Sequence, residues 1–406
     1  MPIRLAEVDL KKPLSAIYVD PGHDRLDLVV FYGYRPIGAV RLPCPSRPWL
    51  FQPEQLQRQI EQALGWRVWE LAVSGQLDRP IPSACPSPPV SVVVCTRDRP
   101  LSLARCLQSL AELDYPHYDV LVVDNASRQP EVAAIIEQSG FPCVREANPG
   151  LDWARNRGIR ESRHEIIAFI DDDALAGQGW LRGVALGFSD PQIMAVTGMV
   201  LPAEIETMAQ DDFEGYGGMS KGFISRTFRR EELSTRDCFW ASNWGVGANM
   251  AFRRGLFDKV GDFDVALDVG TPACGGGDLE FFYRVVSAGY ALRYEPAAVV
   301  RHAHRREDSA LSRQIYNNGR SFAAYLLTIW RNQPGKRVAV LRFAALGWLW
   351  DWLLKRLLRS ALKRDAWTFR FAWTEFRGCL SGWTAYRASR RLARELLAKP
   401  LTPSAP

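Results

Sequence analysis

The sequence predicts an α/β protein with a parallel, doubly wound sheet at its centre. Between Val90 and Asp171, short apolar runs typical of buried strands alternate with segments of helical periodicity. A proline-rich segment, PIPSACPSPP, comes directly before this alternation, and a basic segment rich in tryptophan lies far beyond it. With 406 residues, the chain is also longer than one ordinary domain. We therefore expect a central domain with a smaller region on each side.

The composition is that of a folded globular protein, with 47% hydrophobic and 24% charged residues. The eight cysteines are scattered and form no CxxC pair, which favours a reducing compartment over a disulfide framework. The first residues lack a secretory signal pattern, and no apolar run reaches the roughly 18 residues that a spanning helix needs. We therefore expect a cytoplasmic protein, at most peripheral on the inner face of the plasma membrane.

The region before the alternation divides into two parts. Residues 1–80 contain short apolar runs separated by proline and glycine, followed by a helical stretch, and they predict a small β-rich domain. Residues 81–89 predict a linker, because their prolines sustain neither a helix nor a central strand. The central domain is then expected at residues 90–330 and the basic tail at residues 331–406.

Four strands and three intervening helices can be placed in the first half of the central domain. The predicted strands are Val90–Cys95, Asp119–Val123, Cys143–Arg145 and Ile166–Ile170, and the predicted helices are Leu101–Leu113, Glu131–Gln138 and Asp152–Glu161. Such an alternation implies right-handed crossovers and a parallel sheet, which binds its ligands at the carboxyl ends of its strands. Functional residues are therefore expected where these strands end.

Three consecutive aspartates, Asp171 to Asp173, follow the fourth strand. Like charges this close are unfavourable unless a cation neutralises them, and carboxylate oxygens are preferred ligands of Mg²⁺ and Mn²⁺. A metal held in this way commonly bridges the phosphates of a nucleotide. The alternative is an acidic turn that caps a helix. Thr96, Arg97 and Asp124 follow the first two strands, and we expect them at the same edge of the sheet, although each alone is also typical of an ordinary turn.

A second acidic site is predicted much later, where three glycines precede Asp278. The motif alone favours a helix cap, but a catalytic base that deprotonates an acceptor hydroxyl requires the same residue type. His302 lies further along the chain. A neutral histidine beside a carboxylate-bound metal is a good additional ligand, whereas a histidine at a strand end is more often only partly buried.

Together these motifs resemble those of family 2 glycosyltransferases, which have the GT-A fold. The resemblance runs from about Val90 to about His304 and covers, in the family's order, VSVVVCTRDRP, VLVVDNAS, ANPGLDWARNRGI, IAFIDDDA, GVGANMAFRR, VGDFD and GGGDLEFFYRVVSAGY. It implies a Rossmann-like domain that binds a nucleotide sugar, followed in this chain by amphipathic helices. It also implies an inverting transfer, in which a carboxylate deprotonates the acceptor while a metal stabilises the departing nucleotide diphosphate.

The resemblance assigns roles to individual residues. Asp278 matches the general base. Asp171 and Asp173 fill the DxD motif, Asp173 as the more direct metal ligand, and His302 is a further ligand. The residues matched to donor binding are Thr96, Arg97, Asp124, Arg155, Asn156, Asp171, Asp172 and Asn249. Of these, Thr96, Arg97 and Asp124 are expected at the nucleobase and ribose end, and Asn249 is expected to line the donor or acceptor sugar. One departure is visible: many relatives have Glu-Asp where this chain has Gly277-Asp278, so an acidic neighbour that helps to bind the acceptor is missing.

The sequence therefore predicts a metal-dependent, inverting glycosyltransferase. It would move a sugar from a nucleotide-diphosphate sugar to a saccharide or lipid-linked acceptor, in the synthesis of a cell-surface polysaccharide or glycolipid. One alternative is a sugar-nucleotide nucleotidyltransferase, which normally needs a glycine-rich loop after the first strand, and CTRDRPLSLARC has no glycine. The other is a non-catalytic scaffold that binds sugar nucleotides and has no need of Asp278.

The tail from Arg331 onward holds 16 lysines and arginines against 4 aspartates and glutamates, together with many tryptophans and leucines. Its spacing predicts two or more amphipathic helices between Arg337 and Leu397. This mixture suits an anionic membrane surface better than nucleic acid. The alternative is a helical subdomain that packs on the central domain and has the tryptophans in its core.

Overall fold

The N-terminal region is a small sheet covered by one long helix. The computed structural model describes residues 2–44, 48–73 and 87–398. Residues 81–86 of the predicted linker at 81–89 therefore lie outside the described residues. The elements of this region are β1 (Ile3–Asp9), β2 (Ile17–Val19), β3 (Arg25–Tyr32), β4 (Arg35–Pro43), β5 (Trp49–Phe51) and α1 (Pro53–Val73). Strand β3 pairs in parallel with β1 and antiparallel with β4, and β2 pairs separately with β5. Leu28 and Val30 of β3 share one apolar cluster with Leu56 and Ile60 of α1.

The first half of the central domain follows the predicted alternation. Its elements are β6 (Val90–Thr96), α2 (Pro100–Ala111), β7 (Tyr118–Asn125), α3 (Pro130–Ser139), β8 (Cys143–Glu146), α4 (Leu151–Glu161) and β9 (Ile166–Asp171). Strand β6 lies between β9 and β7, β8 lies on the far side of β7, and these four strands are parallel. Strand β6 is buried along nearly its whole length, as a parallel strand covered on both faces requires. The predicted α/β class and parallel sheet are confirmed.

The second half of the domain extends the sheet with strands of both directions. Its elements are β10 (Ala174–Ala176), α5 (Trp180–Gly187), β11 (Ile193–Pro202), α6 (Met208–Tyr216), β12 (Arg226–Phe228), β13 (Asn249–Arg253), α7 (Phe257–Val260), α8 (Gly277–Ser287) and β14 (Ala291–His302). Strand β13 runs antiparallel to both β9 and β11, whereas β14 is parallel to β11. The strand order is β10-β14-β11-β13-β9-β6-β7-β8, and β12 pairs with β14 off this path. The complete sheet is therefore mixed.

The N-terminal sheet is attached to the side of the central sheet that carries β10, β14 and β11. The backbone N–H of Ile3 donates to the carbonyl of Ile205 at 2.7 Å. Phe31 of β3 packs with Met199 of β11 and Val299 of β14 in one buried cluster. The two regions therefore share apolar core in addition to backbone hydrogen bonds.

The C-terminal region consists of helices that pack on the central domain. These are α9 (Asp308–Asn332), α10 (Arg337–Arg342), α11 (Lys355–Lys363) and α12 (Ala366–Leu397), with a π-helical segment at Phe343–Leu354. Helices α9 and α12 meet at glycines, because a Cβ on Gly378 would overlap the carbonyl oxygen of Tyr316 and a Cβ on Gly319 would overlap that of Glu375. The tail thus packs on the central domain, which is one of the two alternatives that the sequence leaves open, although Trp350, Trp373 and Trp383 are about half exposed. None of the helices in the described part of the chain combines the length and apolar character that a bilayer crossing needs.

Candidate active site

A cleft of about 790 Å³ opens at the carboxyl ends of the central strands. Strand ends contribute Thr96, Arg97, Asp171–Asp173 and His302 to its lining, and the first turns of α9 contribute Arg313 and other polar side chains to another part of it. Parallel sheets carry their ligand sites at this edge. The cleft therefore lies at the strand ends where the sequence predicts a ligand site.

Asp171, Asp173 and His302 bring three potential metal ligands together in this cleft. One ligand atom from each residue lies within 4.8 Å of the other two. The pairing of β10 with β14 produces this arrangement, because it sets His302 opposite Ala174, directly after the three aspartates. The two carboxylates suit Mg²⁺ or Mn²⁺, and the imidazole adds a nitrogen ligand of the kind that transition-metal ions accept. We call these three residues the metal-facing group, and their donor atoms fit a divalent cation.

The two carboxylates of the metal-facing group differ in their electrostatics. Burial raises the pKa of Asp171 to about 6, and the charge of Asp173 adds to this effect. Burial also acts to raise the pKa of Asp173, but the charges of His302 and Arg99 outweigh it and hold that pKa below its ordinary value. His302 Nε2 lies 3.0 Å from Asp173 Oδ1. Asp173 is thus the better stabilised anion of the two.

Asp172 is turned toward the first strand of the domain. Thr96 Oγ1 donates to Asp172 Oδ2 at 2.7 Å. Arg99 Nη1 donates to Asp172 Oδ1 at 3.0 Å and to Asp173 Oδ2 at 2.9 Å. Arg99 therefore neutralises two of the three aspartates, a role that the sequence did not reveal. Its position three residues after Thr96, at the same strand end, is the signal that points to it.

Thr96, Arg97 and Asp124 are expected at the nucleobase and ribose end of the donor. Thr96 and Arg97 line the cleft, whereas Asp124 does not. The carboxylate of Asp124 accepts hydrogen bonds from the backbone N–H of Ser127, at 2.9 Å, and from the guanidinium of Arg145. Asn125, the next residue, lines the cleft instead. Asp124 therefore ties the end of β7 to the turn after it and to β8.

Asn156, which is expected near the donor, and Asn249, which is expected beside the donor or acceptor sugar, are not among the residues that line the cleft. Both are buried. The amide of Asn249 donates to the carbonyls of Met199, at 2.9 Å, and Ala298, at 2.7 Å, and accepts from an indole N–H at 2.8 Å. Asn156 exchanges hydrogen bonds with the backbone of Phe263. Because both amides are satisfied inside the protein, these residues stabilise the domain and have no free group to offer a sugar.

Arg155 also lies outside the lining of the cleft, contrary to its expected place near the donor. Its Nη1 donates to Asp152 Oδ1 at 3.0 Å and forms a second ion pair with Asp268. The side chain is only 4% exposed. Its positive charge acts on Asp171 and on Asp278 as well. Arg155 therefore connects the two acidic sites of the sequence electrostatically, and its buried side chain is held by protein carboxylates.

Asp278 lies in the first turn of α8 and is outside the lining of the cleft, in contrast to the metal-facing group. The cap residue of α8 is Gly276, so Asp278 is not the N-cap that its motif alone favours. Its carboxylate accepts two backbone N–H groups, each at 2.8 Å. Burial and the charge of Asp268 raise its pKa, although Arg155 and the two N–H groups act against this. A raised pKa makes this carboxylate a stronger proton acceptor than an exposed aspartate.

Lys221 is a neighbour of Asp278 that the sequence did not indicate. Burial lowers its pKa, while the charges of Asp278 and Glu214 favour its protonated form. Lys221 belongs to a glycine-rich stretch at residues 215–222, which the sequence marks only as polar and irregular. Only the fold brings this stretch beside α8.

The comparison with known families decides what kind of domain contains this cleft. A model of glycosyl transferase family 2 matches residues 91–261, which include the strand ends at Thr96, Asp124 and Asp171. Residues 91–261 are a family 2 glycosyltransferase domain. Asp278 and His302 lie beyond the matched segment of this family 2 domain, so their roles depend on the geometry described above.

Curated relatives of the family 2 domain are glycosyltransferases and a polysaccharide biosynthesis protein. The O-antigen biosynthesis protein RfbC of Myxococcus xanthus is 28% identical over 244 residues, which are 55% of this chain and 18% of RfbC. Glycosyltransferase AglE of Haloferax volcanii is 27% identical over 56% of this chain and 71% of AglE. The O-antigen chain rhamnosyltransferase RfbN of Salmonella typhimurium is 26% identical over 46% of this chain and 57% of RfbN. The chain thus spans less than two thirds of the length of RfbC and RfbN.

Two solved structures are similar to this chain. The mannosyltransferase PcManGT from Pyrobaculum calidifontis, in complex with GDP-Man and Mn²⁺, has a TM-score of 0.47 and 19% identity over 76% of this chain and 86% of its own. TarS 1–349 from S. aureus has a TM-score of 0.42 and 14% identity over 71% of this chain and 91% of its own. The confirmed GT-A class of this domain agrees with its strand order and its family 2 match.

Proposed function

We propose that this chain is an inverting, metal-dependent glycosyltransferase that moves a sugar from a nucleotide-diphosphate sugar to a hydroxyl acceptor. The observation that carries the proposal is the approach of Asp171, Asp173 and His302 to within 4.8 Å of one another, in the cleft of a family 2 domain. A cleft of about 790 Å³ is in the range of small-molecule and cofactor sites.

The donor is proposed to lie along the strand ends. Thr96 and Arg97 are placed at the nucleobase and ribose end, in keeping with their position in the cleft. The metal-facing group would hold Mg²⁺ or Mn²⁺, which would neutralise the donor diphosphate and stabilise the nucleotide diphosphate as it leaves. Arg305, whose guanidinium lies 3.9 Å from Asp173, adds positive charge on the same side. These groups together would hold the leaving group while the sugar is transferred.

Asp278 is the proposed general base. The acceptor hydroxyl gives its proton to the Asp278 carboxylate as its oxygen attacks the anomeric carbon. The bond from that carbon to the diphosphate oxygen breaks, so the configuration at the anomeric carbon inverts. The raised pKa of Asp278, which results mainly from burial, supports this role because it makes the carboxylate more basic. Its separation from the lining of the donor cleft is consistent with an acceptor that enters from a different side.

The acceptor is proposed to be a saccharide or a lipid-linked saccharide that becomes part of a cell-surface polysaccharide or glycolipid. The names of RfbC and RfbN, which refer to O-antigen, support this class. The sequence alternatives, a nucleotidyltransferase and a non-catalytic scaffold, predict different products. A scaffold would bind a sugar nucleotide without consuming it, and a nucleotidyltransferase would release pyrophosphate from a nucleoside triphosphate.

The test uses the full chain with UDP-, GDP- and dTDP-sugars. We expect Mn²⁺ and the matching nucleotide diphosphate together to raise the melting temperature more than either alone, because a ligand that binds only the native state stabilises it. With a suitable acceptor, the same donor should be converted to a product of inverted configuration, detected by NMR. Retention of configuration, or transfer that is equally fast after removal of divalent metal, would contradict the proposal.

We further propose that the tail lies on an anionic membrane at the inner face of the plasma membrane, with the enzyme in the cytoplasm. On α12, Phe369, Trp373, Leu380 and Trp383 are 40%, 45%, 66% and 50% exposed. They are three, four or seven residues apart and therefore share one side of the helix. Exposed aromatic and aliphatic side chains in a segment with 16 lysines and arginines are typical of a helix at a membrane interface. Packing of the opposite side of α12 on α9 is compatible with this role.

Point variants test the tail better than truncation, because removal of α12 would uncover the buried side of α9. We expect the double variant Trp373→Gln, Trp383→Gln to lose binding to vesicles that contain phosphatidylglycerol. The matched control is Trp66→Gln, Trp69→Gln, which removes two exposed tryptophans from α1. Equal vesicle binding by the wild type and the α12 variant would refute membrane docking through this side of the helix.

A further inference from the structure

The space beside Gly277, the residue directly before Asp278, is bordered by two carboxylates from other elements. A side chain at position 277 would have no room, because a Cβ on Gly277 would overlap Asp152 Oδ2 and lie 2.9 Å from Asp268 Oδ2. Asp152 belongs to the first turn of α4, and Asp268 lies in the loop that leads to α8. Two carboxylates from other elements therefore occupy the space that a side chain at position 277 would need.

Arg155 binds both of these carboxylates. Its Nη1 is 3.0 Å from Asp152 Oδ1 and also pairs with Asp268 Oδ2. We call Asp152, Arg155 and Asp268 the Arg155 cluster. Asp152 is 1% exposed, and its Oδ2 has no hydrogen-bond partner among the described residues. A buried carboxylate oxygen without a partner is unfavourable, so this geometry is retained against a cost in stability.

The loop that carries Asp268 has an uncommon backbone conformation. Asp268 has a φ of 66°, in the left-handed region that non-glycine residues rarely adopt. Its carboxylate Oδ1 accepts the backbone N–H of Val269 at 2.8 Å, and its carbonyl accepts the Thr271 hydroxyl at 2.8 Å. These contacts fix the side chain of Asp268 toward Arg155. Strained residues of this kind persist where the surrounding structure determines them strongly.

The Arg155 cluster extends to Asp278 through the space over Gly247. A Cβ at Gly247 would lie 2.8 Å from Arg155 Nη2 and 3.1 Å from Asp278 Oδ2, so the guanidinium and the carboxylate both border this point. They do not form a direct ion pair, because Arg155 is held by its two aspartates instead. Asp278 Oδ2 is fixed at the same point by the Gly247 N–H at 2.8 Å. In the described part of the chain, the charged groups that act on Asp278 include Arg155 from α4, Asp268 from the loop and Lys221 from the glycine-rich stretch.

We propose that the Arg155 cluster positions Asp278 for proton transfer and supplies, from two other elements, the acidic groups that lie beside the base. This inference rests on the proposed function. Asp152 holds Arg155 back from Asp278, so the base keeps its proton affinity and its orientation. Asp152 is a positioning residue, since its side chain is buried and cannot touch a substrate.

The experiment compares Asp152→Ala with the double variant Asp152→Ala, Gly277→Glu in the full-length enzyme. In the single variant Arg155 keeps only Asp268 as a partner and can turn toward Asp278, so we expect kcat to fall at least about tenfold while the KM for the donor and the affinity for Mn²⁺ stay unchanged. The acid limb of the pH profile should move to lower pH, because a closer cation lowers the pKa of a carboxylate. The double variant returns an acidic group to this space and should recover most of kcat.

Two further variants keep the test decisive if Asp152→Ala folds poorly. Asp152→Asn retains the volume of the side chain without its charge and should show the same loss of kcat. Glu280→Gln is the control, because Glu280 is also a buried carboxylate of α8 but pairs with Arg284; its pH profile should match the wild type. An Asp152→Asn variant with wild-type kcat and acid limb, or a double variant no better than Asp152→Ala, would overturn the inference. A wild-type enzyme that transfers no sugar would count against the proposed function instead.

Discussion

The metal-facing group and the Arg155 cluster each contain two aspartates, but they differ in how far they are open to solvent. The metal-facing group borders the cleft, and Arg99, the cation beside it, is 39% exposed. The Arg155 cluster encloses its negative charge around an arginine that is 4% exposed. A cation that reaches solvent can give way to another cation, whereas an enclosed one cannot. The first group is therefore suited to exchange a metal ion, and the second is suited to hold one fixed geometry.

The largest effect is expected from Asp278→Asn, which removes the proposed proton acceptor. Transfer should fall by about two to four orders of magnitude, which is the usual contribution of a general base. Binding of Mn²⁺ and nucleotide diphosphate, measured by melting temperature, should remain nearly intact because Asp278 lies outside the lining of the donor cleft. Unchanged turnover would remove Asp278 from the mechanism and leave the second acidic group with a purely structural role.

Arg155→Met should lower the free energy of unfolding by about 3–5 kcal/mol, because it leaves two buried carboxylates without their cation. Chemical denaturation at pH 7 measures this. Arg99→Met serves as the comparison, since its side chain is partly exposed and its loss should cost much less. Similar losses for the two variants would mean that the groups do not differ in the way described here.

Asp173→Asn should weaken Mn²⁺ binding at least about tenfold, because even indirect partners of a metal site contribute that much. Calorimetric titration with Mn²⁺ tests it. Asp258→Asn is the control, since Asp258 is an exposed aspartate of α7, which follows the end of β13 that pairs with Ile166 at the beginning of β9. If Asp173→Asn and the control bound Mn²⁺ alike, the metal-facing group would not be the metal site.

Arg99→Gln should change metal affinity in the opposite direction. Arg99 pairs with Asp173 and Asp172 at 2.9 and 3.0 Å, so its removal leaves more negative charge for the metal. A partly exposed ion pair contributes up to about 1 kcal/mol, which corresponds to an increase in Mn²⁺ affinity of up to about fivefold in the absence of donor. A lower affinity would show that Arg99 supports the metal site and does not compete with it.

The pH profile is expected to show the smallest effect. Burial and Asp268 raise the pKa of Asp278 above 3.8, and the base must be ionised to accept a proton. The kcat/KM should therefore fall as the pH is lowered through this raised pKa, at a higher pH than an exposed aspartate would give. A profile with its acid limb at or below the ordinary aspartate value would indicate that Arg155 outweighs burial at this site.

The sequence correctly predicts which residues lie at the ends of the strands. It is less reliable in predicting whether the side chain of a polar residue points into the cleft. Asp171 and Thr96 follow buried apolar strands, and parallel pairing necessarily brings them to one edge. Asn249 begins β13 and looks equally suited to a ligand, yet its amide faces the carbonyls of Met199 and Ala298. Whether a polar residue meets a cleft or a neighbouring carbonyl is decided by tertiary packing, which no local pattern encodes.

The second acidic group shows the same limit more clearly. Gly277 appears in the sequence as the loss of an acidic residue, and the volume it leaves is filled by Asp152, which lies 125 positions earlier in the numbering. The sequence assigned Arg155 to the donor because its motif is similar to that of relatives. The structure instead closes it between two aspartates. A compensation between distant residues of this kind becomes visible only when the chain is folded.

The glycine contacts between α9 and α12 have a mechanical consequence. Since Gly319 and Gly378 let the two backbones touch, the helices have little freedom to slide or pivot against each other. The two helices therefore form one rigid unit. This unit carries both Arg313, which lines the cleft, and the exposed tryptophans of α12. A bilayer that bound those tryptophans would fix the tilt of the whole enzyme. The opening of the cleft would then lie at a constant angle to the lipid surface and at a constant distance from it.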